Sequence, residues 1–361
     1  MRIGIVGMPN AGKSSLFNAL TRAGAEAANY PFTTVEPNVA IVPVPDERLD
    51  RVAEMVSAAP VVYETIAFHD IAGLIRGAHR GEGLGNRFLA NIRETDAIVH
   101  VVRVHDDPQV VHAEGRVDPA ADLEAVETEL LYADLEQAEG RLERVSRQAK
   151  SHERAAVAEE AWLGEVVEGL RAGRPVRLAP PPPADAPGAL ATLQPLTSKP
   201  VLIVANVAED QPDELPEAVS DHAARTGALT VAVSARLEAE LAEMDAGEAA
   251  AMREELGIPE SGLERVVRGA FDLLRLISFF TAQSGSEARA HAVRNGTTAW
   301  DAAGEVHTDM QRGFVRAEVV PWDALVDAGG YAGARDRGTL RLEGRDYAVR
   351  DGDVITIRFS A

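Results

Sequence analysis

The chain has 361 residues and no cysteine. Disulfides, thiol nucleophiles and cysteine-ligated zinc are therefore excluded. It also lacks any apolar run near the ~18 residues that a membrane helix needs, so no membrane span is expected. Met1-Arg2-Ile3 enters a strand-like run directly. No signal peptide is expected from that start, and a cytoplasmic location is the default. No internal repeat is visible. Lysine is scarce: Lys13, Lys150 and Lys199 are the only ones, and arginine supplies the remaining cations. The net charge of −21 argues against the whole surface as a nucleic-acid binder and against DNA as a partner, but leaves a local basic face open.

What is present starts within the first residues. Ile3-Gly4-Ile5-Val6 reads as a short buried strand. It runs into Gly7-Met8-Pro9-Asn10-Ala11-Gly12-Lys13-Ser14, the pattern G-x-x-x-x-G-K-S, followed by a helix-forming stretch from Ser15 to Leu20. The glycines let the backbone curl so that successive N–H groups face one anion. The helix N-terminus adds its positive dipole end, Lys13 reaches the β- and γ-phosphates, and the Ser14 hydroxyl ligates Mg²⁺. Asn10, Ala11, Gly12, Lys13, Ser14 and Ser15 are thus candidate nucleotide-binding residues. A coincidental Gly-rich turn is the competing reading.

Residues 1–122 alternate strand and helix signals, with β-branched runs at Val39–Val44, Thr65–His69 and Ala97–Val104. This is an α/β pattern with a mostly parallel sheet. The period then changes. Leu131, Leu135, Ala138, Leu142, Val145 and Ala149 form a coiled-coil seam, and Ala158, Trp162, Leu163, Val166 and Leu170 a returning arm. Gly173, Pro175 and Pro180–Pro183 break it, so an inserted antiparallel helical hairpin is expected. The sheet resumes with Val201–Ala205 and Thr230–Val233, and helices fill Leu237–Leu256 and Gly262–Leu274. After Ser278 short strands and turns predict a small α+β domain.

Three segments narrow the choice among P-loop enzymes. Asp70-Ile71-Ala72-Gly73 after a strand can place a carboxylate near Mg²⁺ and the Gly73 N–H on the γ-phosphate; an ordinary strand-to-turn Asp and Gly is the alternative. Thr34, in Pro31-Phe32-Thr33-Thr34, can ligate Mg²⁺ through its hydroxyl, or simply start a strand. Asn206-Val207-Ala208-Glu209 stands where guanine-specific switches carry Asn-Lys-x-Asp. Val207 replaces the lysine and the longer Glu209 replaces the aspartate, which should relax or reverse the preference for guanine. Asn206 as a mere strand end is the competing reading. Ser234 and Ala235, at the end of the next strand, complete the nucleotide-binding set.

These residues, with Asn29–Asn38 and Gly81-Glu82-Gly83-Leu84-Gly85-Asn86, resemble the Obg-related translation-factor GTPases. The Asn-x-x-Glu motif is similar to the YchF-type (Obg-like) ATPases in particular. The resemblance covers essentially the full length and is weakest from about Ser151 to Ser198. It implies a P-loop nucleotide-binding domain over 1–122 and 199–277, an inserted helical coiled-coil domain over 123–198, and a TGS domain of β-grasp fold over 278–361. It further implies hydrolysis of ATP in preference to GTP, with Mg²⁺, and association with the ribosome (large subunit or 70S) and its rRNA. A monomer is expected. Leu74 occupies the position where many switch GTPases carry a water-orienting glutamine. The resemblance points instead to His112, so Lys13, Gly73 and His112 form the expected catalytic set; a surface histidine is the other reading of His112. In related GTPases an asparagine at the position of Asn10 ligates a monovalent cation, so K⁺ is a second expected ion, although Asn10 could equally just shape the loop. Arg141, Arg144, Arg147, Lys150 and Arg154 form a candidate rRNA contact or a solvated helix face. The C-terminal segment carries a further set in Arg312, Arg316, Arg335, Arg337, Arg341, Arg345 and Arg350. The rival functions are an Obg-like GTPase in ribosome assembly and a nucleotide-gated scaffold that binds RNA or protein without turnover.

Overall fold

The computed structural model describes residues 1–27, 38–71, 84–107, 115–210, 214–258 and 260–360. In chain order its strands are β1 (Arg2–Val6), β2 (Val39–Val44), β3 (Val61–Val62), β4 (Glu64–Asp70), β5 (Ala97–Arg103), β6 (Val201–Asn206), β7 (Leu229–Val233), β8 (Leu276–Ala282), β9 (Ala288–Arg294), β10 (Phe314–Pro321), β11 (Arg341–Glu343) and β12 (Asp353–Phe359). The longer helices of the first half are α1 (Lys13–Ala27), α2 (Glu47–Val56), α3 (Leu84–Arg93), α4 (Pro119–Ala149) and α5 (Arg154–Arg171). They are followed by α6 (Ala189–Leu193), α7 (Glu217–Thr226), α8 (Ala235–Leu241), α9 (Ala246–Glu255) and α10 (Gly262–Leu273). Among the described residues no helix is long and apolar enough to cross a membrane.

The chain divides into two compact units, Met1–Val42 with Ile66–Leu274, and Pro43–Thr65 with Arg275–Ala361. In the first, the sheet order is β2-β4-β1-β5-β6-β7. β1 pairs in parallel with β4 and with β5, and β5–β6 and β6–β7 are also parallel. β5 and β6 are buried along their whole length, as strands covered by helices on both faces must be. The strand order reverses direction at β1, between β4 and β5. That is the switch point where open α/β sheets place their ligands, beyond the carboxyl ends of the strands.

The expected hairpin is present as α4 and α5, which pack on each other. α4 opens on the Asp118 side chain, which accepts from Ala121 N, with Pro119 in its first turn. Its first half does more than the sequence suggested. Leu123, Val126, Leu130 and Ala133 lie in the same core as Ile98, Val102 and Ile203 of the sheet. Leu131, Leu135, Ala138, Leu142 and Val145, on another face and further along the helix, pack with Trp162, Leu163, Val166 and Leu170 of α5. Thus α4 begins before the expected boundary at residue 123 and belongs to the sheet domain through its base. At the start of the proline run, Trp162 Nε1 donates to Pro180 O at 2.9 Å and holds the chain beyond α5 on the hairpin. The helical stretch Leu237–Leu256 is interrupted, because Asp245 caps a new helix by accepting from Gly247 N and Glu248 N.

The second unit contains a mixed sheet of order β11-β10-β12-β8-β9-β3. Parallel β12 and β8 lie at its centre, and antiparallel β10 and β9 flank them. This is the strand arrangement of a β-grasp sheet. One expectation is corrected here: Pro43–Thr65, read as part of the nucleotide-binding domain, pack within this unit, which begins at Arg275 rather than at 278. The reason lies in α2. Leu49, Val52, Ala53 and Val56 form one apolar face and bury against Phe280, Ala282, Val320 and Leu325. Arg48 pairs with Asp46 at 2.7 Å and with Asp351 at 2.6 Å, tying the helix start to the turn before β12.

Candidate functional site

The loop between β1 and α1 is shaped by two glycines that nothing else could replace. Gly7 has φ +149° and a Cβ there would lie 2.2 Å from Val101 O; Gly12 has φ +100° and a Cβ there would lie 2.3 Å from Asn206 Nδ2. Asn10 adopts φ 61°, the left-handed region that asparagine tolerates best after glycine. Lys13 is buried, and its Nζ donates to Gly7 O at 3.0 Å and Met8 O at 2.8 Å. Burial lowers its pKa, and the charge of Asp70 partly offsets that. The ammonium is thus held across the loop with its charge facing the strand end that carries Asp70. Ser14 and Ser15 follow on the exposed side of the first turn of α1.

The other end of the site is assembled by Asn206. Its Nδ2 donates to Ala11 O at 3.0 Å, and its Oδ1 accepts from Ala235 N at 3.0 Å. Its backbone carbonyl accepts from Val104 N at 3.1 Å and faces His105 Nδ1 at 2.9 Å. One residue therefore ties together the loops after β1, β5, β6 and β7. Val207 is buried in the core and bonds Val233 O through its N–H. The Ser234 hydroxyl caps α8 by accepting from Leu237 N, so its side chain has a structural task as well. Glu209 Oε1 meets Arg236 Nε at 3.0 Å.

A cleft of about 650 Å³ runs between these ends. It is lined by Asn10, Gly12, Lys13, Ser14 and Ser15 on one side and by Asn206, Val207, Glu209, Ser234 and Ala235 on the other. Ala11 contributes its carbonyl to the Asn206 tie. Asp70 ends β4 beside β1, in register with Ile5. Thr34, Gly73 and His112 lie outside the described residues. The cleft also includes Arg103, His105, Asp106, Asp107 and Arg236, which reading of the sequence did not single out. A signal for the first four existed. They end or directly follow β5, a neighbour of β1, and residues at and just past the carboxyl end of such a strand face the ligand. Arg103 Nε donates to His105 O at 2.9 Å, so this loop is braced by its own strand.

The arginine row on the hairpin is partly structural. Arg141 makes a two-point pair with Glu159 of α5 at 2.8 and 3.1 Å, Arg147 pairs with Glu143 and Arg154 with Asp185.

Comparison with known proteins agrees with this geometry. Residues 2–132 match a family described as 50S ribosome-binding GTPase, and residues 276–360 match the C-terminal family of YchF GTPases, described as a protein of unknown function. The ribosome-binding ATPase YchF of Bacillus subtilis (strain 168) is 45% identical over 99% of this chain and 98% of its own length. The protein of the same name from Haemophilus ducreyi is 47% identical over 99% of both chains. A solved structure of the Schizosaccharomyces pombe YchF GTPase, 33% identical, superposes with a TM-score of 0.88 over 99% of this chain and 97% of that one. Similarity of this extent, spanning both units, shows that the chain belongs to the YchF family of P-loop NTPases.

Proposed function

We propose that the cleft binds ATP and hydrolyses it slowly to ADP and phosphate, and that the protein is a ribosome-associated switch regulating translation or a ribosome-linked stress response. The observation that carries this reading is the Asn206 tie, which holds the phosphate loop and the Asn206–Glu209 loop around one cleft. The names of the bacterial relatives support both the hydrolysis and the ribosome. Lys13 and the loop N–H groups hold the β- and γ-phosphates and neutralise charge that grows as the terminal phosphoryl leaves. Ser14 and Asp70 fit a Mg²⁺ site. One is an exposed hydroxyl at the start of α1, the other a carboxylate whose charge already acts on Lys13. With Thr34 they would hold the ion, which would act as a Lewis acid and draw charge from the phosphate oxygens. The Gly73 N–H meets the γ-phosphate, and His112 orients the attacking water in place of the glutamine that Leu74 replaces.

Asn10 is the ligand we assign to a monovalent cation beside the phosphates. Turnover in KCl should exceed turnover in NaCl; equal rates would remove that role. The decisive experiment measures ATP and GTP turnover with and without 70S ribosomes and isolated large subunits. Faster ATP than GTP turnover, raised by ribosomes, is expected. GTP preferred over ATP would favour an Obg-like GTPase, a reading the description of the fission-yeast relative keeps in view. Tight binding with no turnover under any condition would favour a nucleotide-gated scaffold. The C-terminal unit is read as a TGS domain and, with the hairpin, as the rRNA-facing part of a cytoplasmic monomer. Sizing chromatography and ribosome co-sedimentation of the separate arginine variants test that assignment.

A further inference from the structure

We propose that Arg236 sets the purine preference of the cleft by occupying one carboxylate oxygen of Glu209. The proposal rests on the reading of the cleft as a nucleotide site with its base against Asn206–Glu209. Arg236 follows Ala235, whose N–H is fixed by Asn206 Oδ1 at 3.0 Å. The arginine is therefore anchored by the same side chain that starts the Asn206–Glu209 loop. Its Nε lies 3.0 Å from Glu209 Oε1 and 3.3 Å from Glu240 Oε1, and both Arg236 and Glu209 line the cleft. Their side chains are 68% and 44% exposed, so the pair forms a rim rather than a core contact. A pair this exposed adds little to stability by itself. A purine seated against it excludes water, and the orientation of the pair then counts for more.

The chemistry of the two bases makes that orientation selective. Guanine presents N1–H and a 2-amino group side by side, and reading both takes both oxygens of one carboxylate. Adenine presents a single amino donor at N6 beside an acceptor at N1. With Oε1 held by a guanidinium, Glu209 keeps one oxygen for one donor. The guanidinium also brings N–H donors to the base edge, which suit the adenine N1 acceptor and oppose guanine N1–H. Arginine suits the task because its charge does not titrate and its donors are fixed in a plane. Glu240, one turn along α8, holds the same guanidinium and limits its rotation away from Glu209.

The test is equilibrium binding of ATP, GTP and ITP to wild type, Arg236→Ala, Arg236→Lys and Glu209→Ala, with thermal unfolding to verify that each variant folds. In Arg236→Ala both Glu209 oxygens are released. GTP affinity should rise about tenfold, while ATP changes less than about threefold. ITP, which has N1–H but no 2-amino group, should gain less than GTP. Arg236→Lys should keep the wild-type order. An equal change for all three nucleotides, or no change, overturns the role of Arg236. Glu209→Ala distinguishes the two levels of the argument. If it leaves the ATP to GTP ratio at the wild-type value, the base is not read at Glu209 and the placement of the nucleotide fails. If it shifts the ratio while Arg236→Ala does not, only the role of Arg236 fails.

Discussion

At the residue scale, the amide of Asn206 spends its oxygen and one N–H on backbone groups, Ala235 N and Ala11 O. Truncation to alanine removes both bonds and leaves a buried carbonyl and a buried N–H without partners. Asn206→Ala should therefore cost about 1–3 kcal/mol of stability and lower ATP affinity at least about tenfold, measured by urea unfolding and by nucleotide titration. Lys13→Ala acts differently: in the proposed reading its charge meets the phosphates. Turnover should fall by about a hundredfold or more while the fold persists. Two buried histidines report on acid stability. Burial pushes His100 on β5 down from 6.5 to about 3, and His291, stacked on Phe279 with centroids 4.8 Å apart, down to about 4. Both are neutral in the folded state, whereas the unfolded chain takes up protons as pH falls through about 6.5. Their stabilising contribution is complete above that pH. It is lost on acidification toward 4 and 3, with a slope of roughly 1.4 kcal/mol per pH unit for each histidine. His291→Gln should reduce the slope of stability against pH between 6.5 and 4 by about one proton; an unchanged slope would contradict the assignment. The glycines, Lys13 and Asn206 could be read from sequence because a local motif names them. Arg236 could not, since it belongs to the site only through a partner more than twenty-five residues away, Glu209.

At the element scale, the buried runs at β5 and β6 announced a parallel sheet because strands covered on both faces must be apolar throughout. The hairpin helices were readable for the same kind of reason, a sustained apolar stripe on a charged background. What the stripe faces was not readable. Leucines along α4 look alike in sequence, yet Leu123 and Leu130 meet the sheet while Leu131, Leu135 and Leu142 meet α5. The division is marked by Asp134, which is buried and accepts from Leu196 N at 2.8 Å, Thr197 N at 2.7 Å and Thr197 Oγ1 at 2.7 Å. Burial raises the pKa of this carboxyl, and those three donors oppose the rise. Asp134→Ala should destabilise by about 2–4 kcal/mol, because three buried donors lose their acceptor. Chemical denaturation would show it, and a loss within about 0.5 kcal/mol would mean that the joint between hairpin and sheet is held elsewhere.

At the scale of the whole molecule, the chain leaves the first unit at Pro43, contributes α2 and β3 to the second, and returns at Ile66. Residues 43–65, between β2 and Asp70 in sequence, are thereby part of the C-terminal unit. Truncation after Leu274 should leave Leu49, Val52, Ala53 and Val56 without the residues that cover them. The truncated protein is expected to bind a hydrophobic dye and aggregate; replacing 43–65 by a short polar linker in the same truncation should restore solubility. Sequence could not show this excursion, because an amphipathic helix states that it has an apolar face but not which surface that face meets. By itself the sequence determined the phosphate loop, the parallel strands, the hairpin and the family, since these rest on spacing within a short stretch of chain. The tertiary structure alone decided which unit claims Pro43–Thr65, how far α4 serves the sheet, and that Glu209 shares its carboxylate with Arg236. Those depend on surfaces and charges that meet only when distant segments pack, where burial and a hydrogen-bond distance, not sequence order, select the partner.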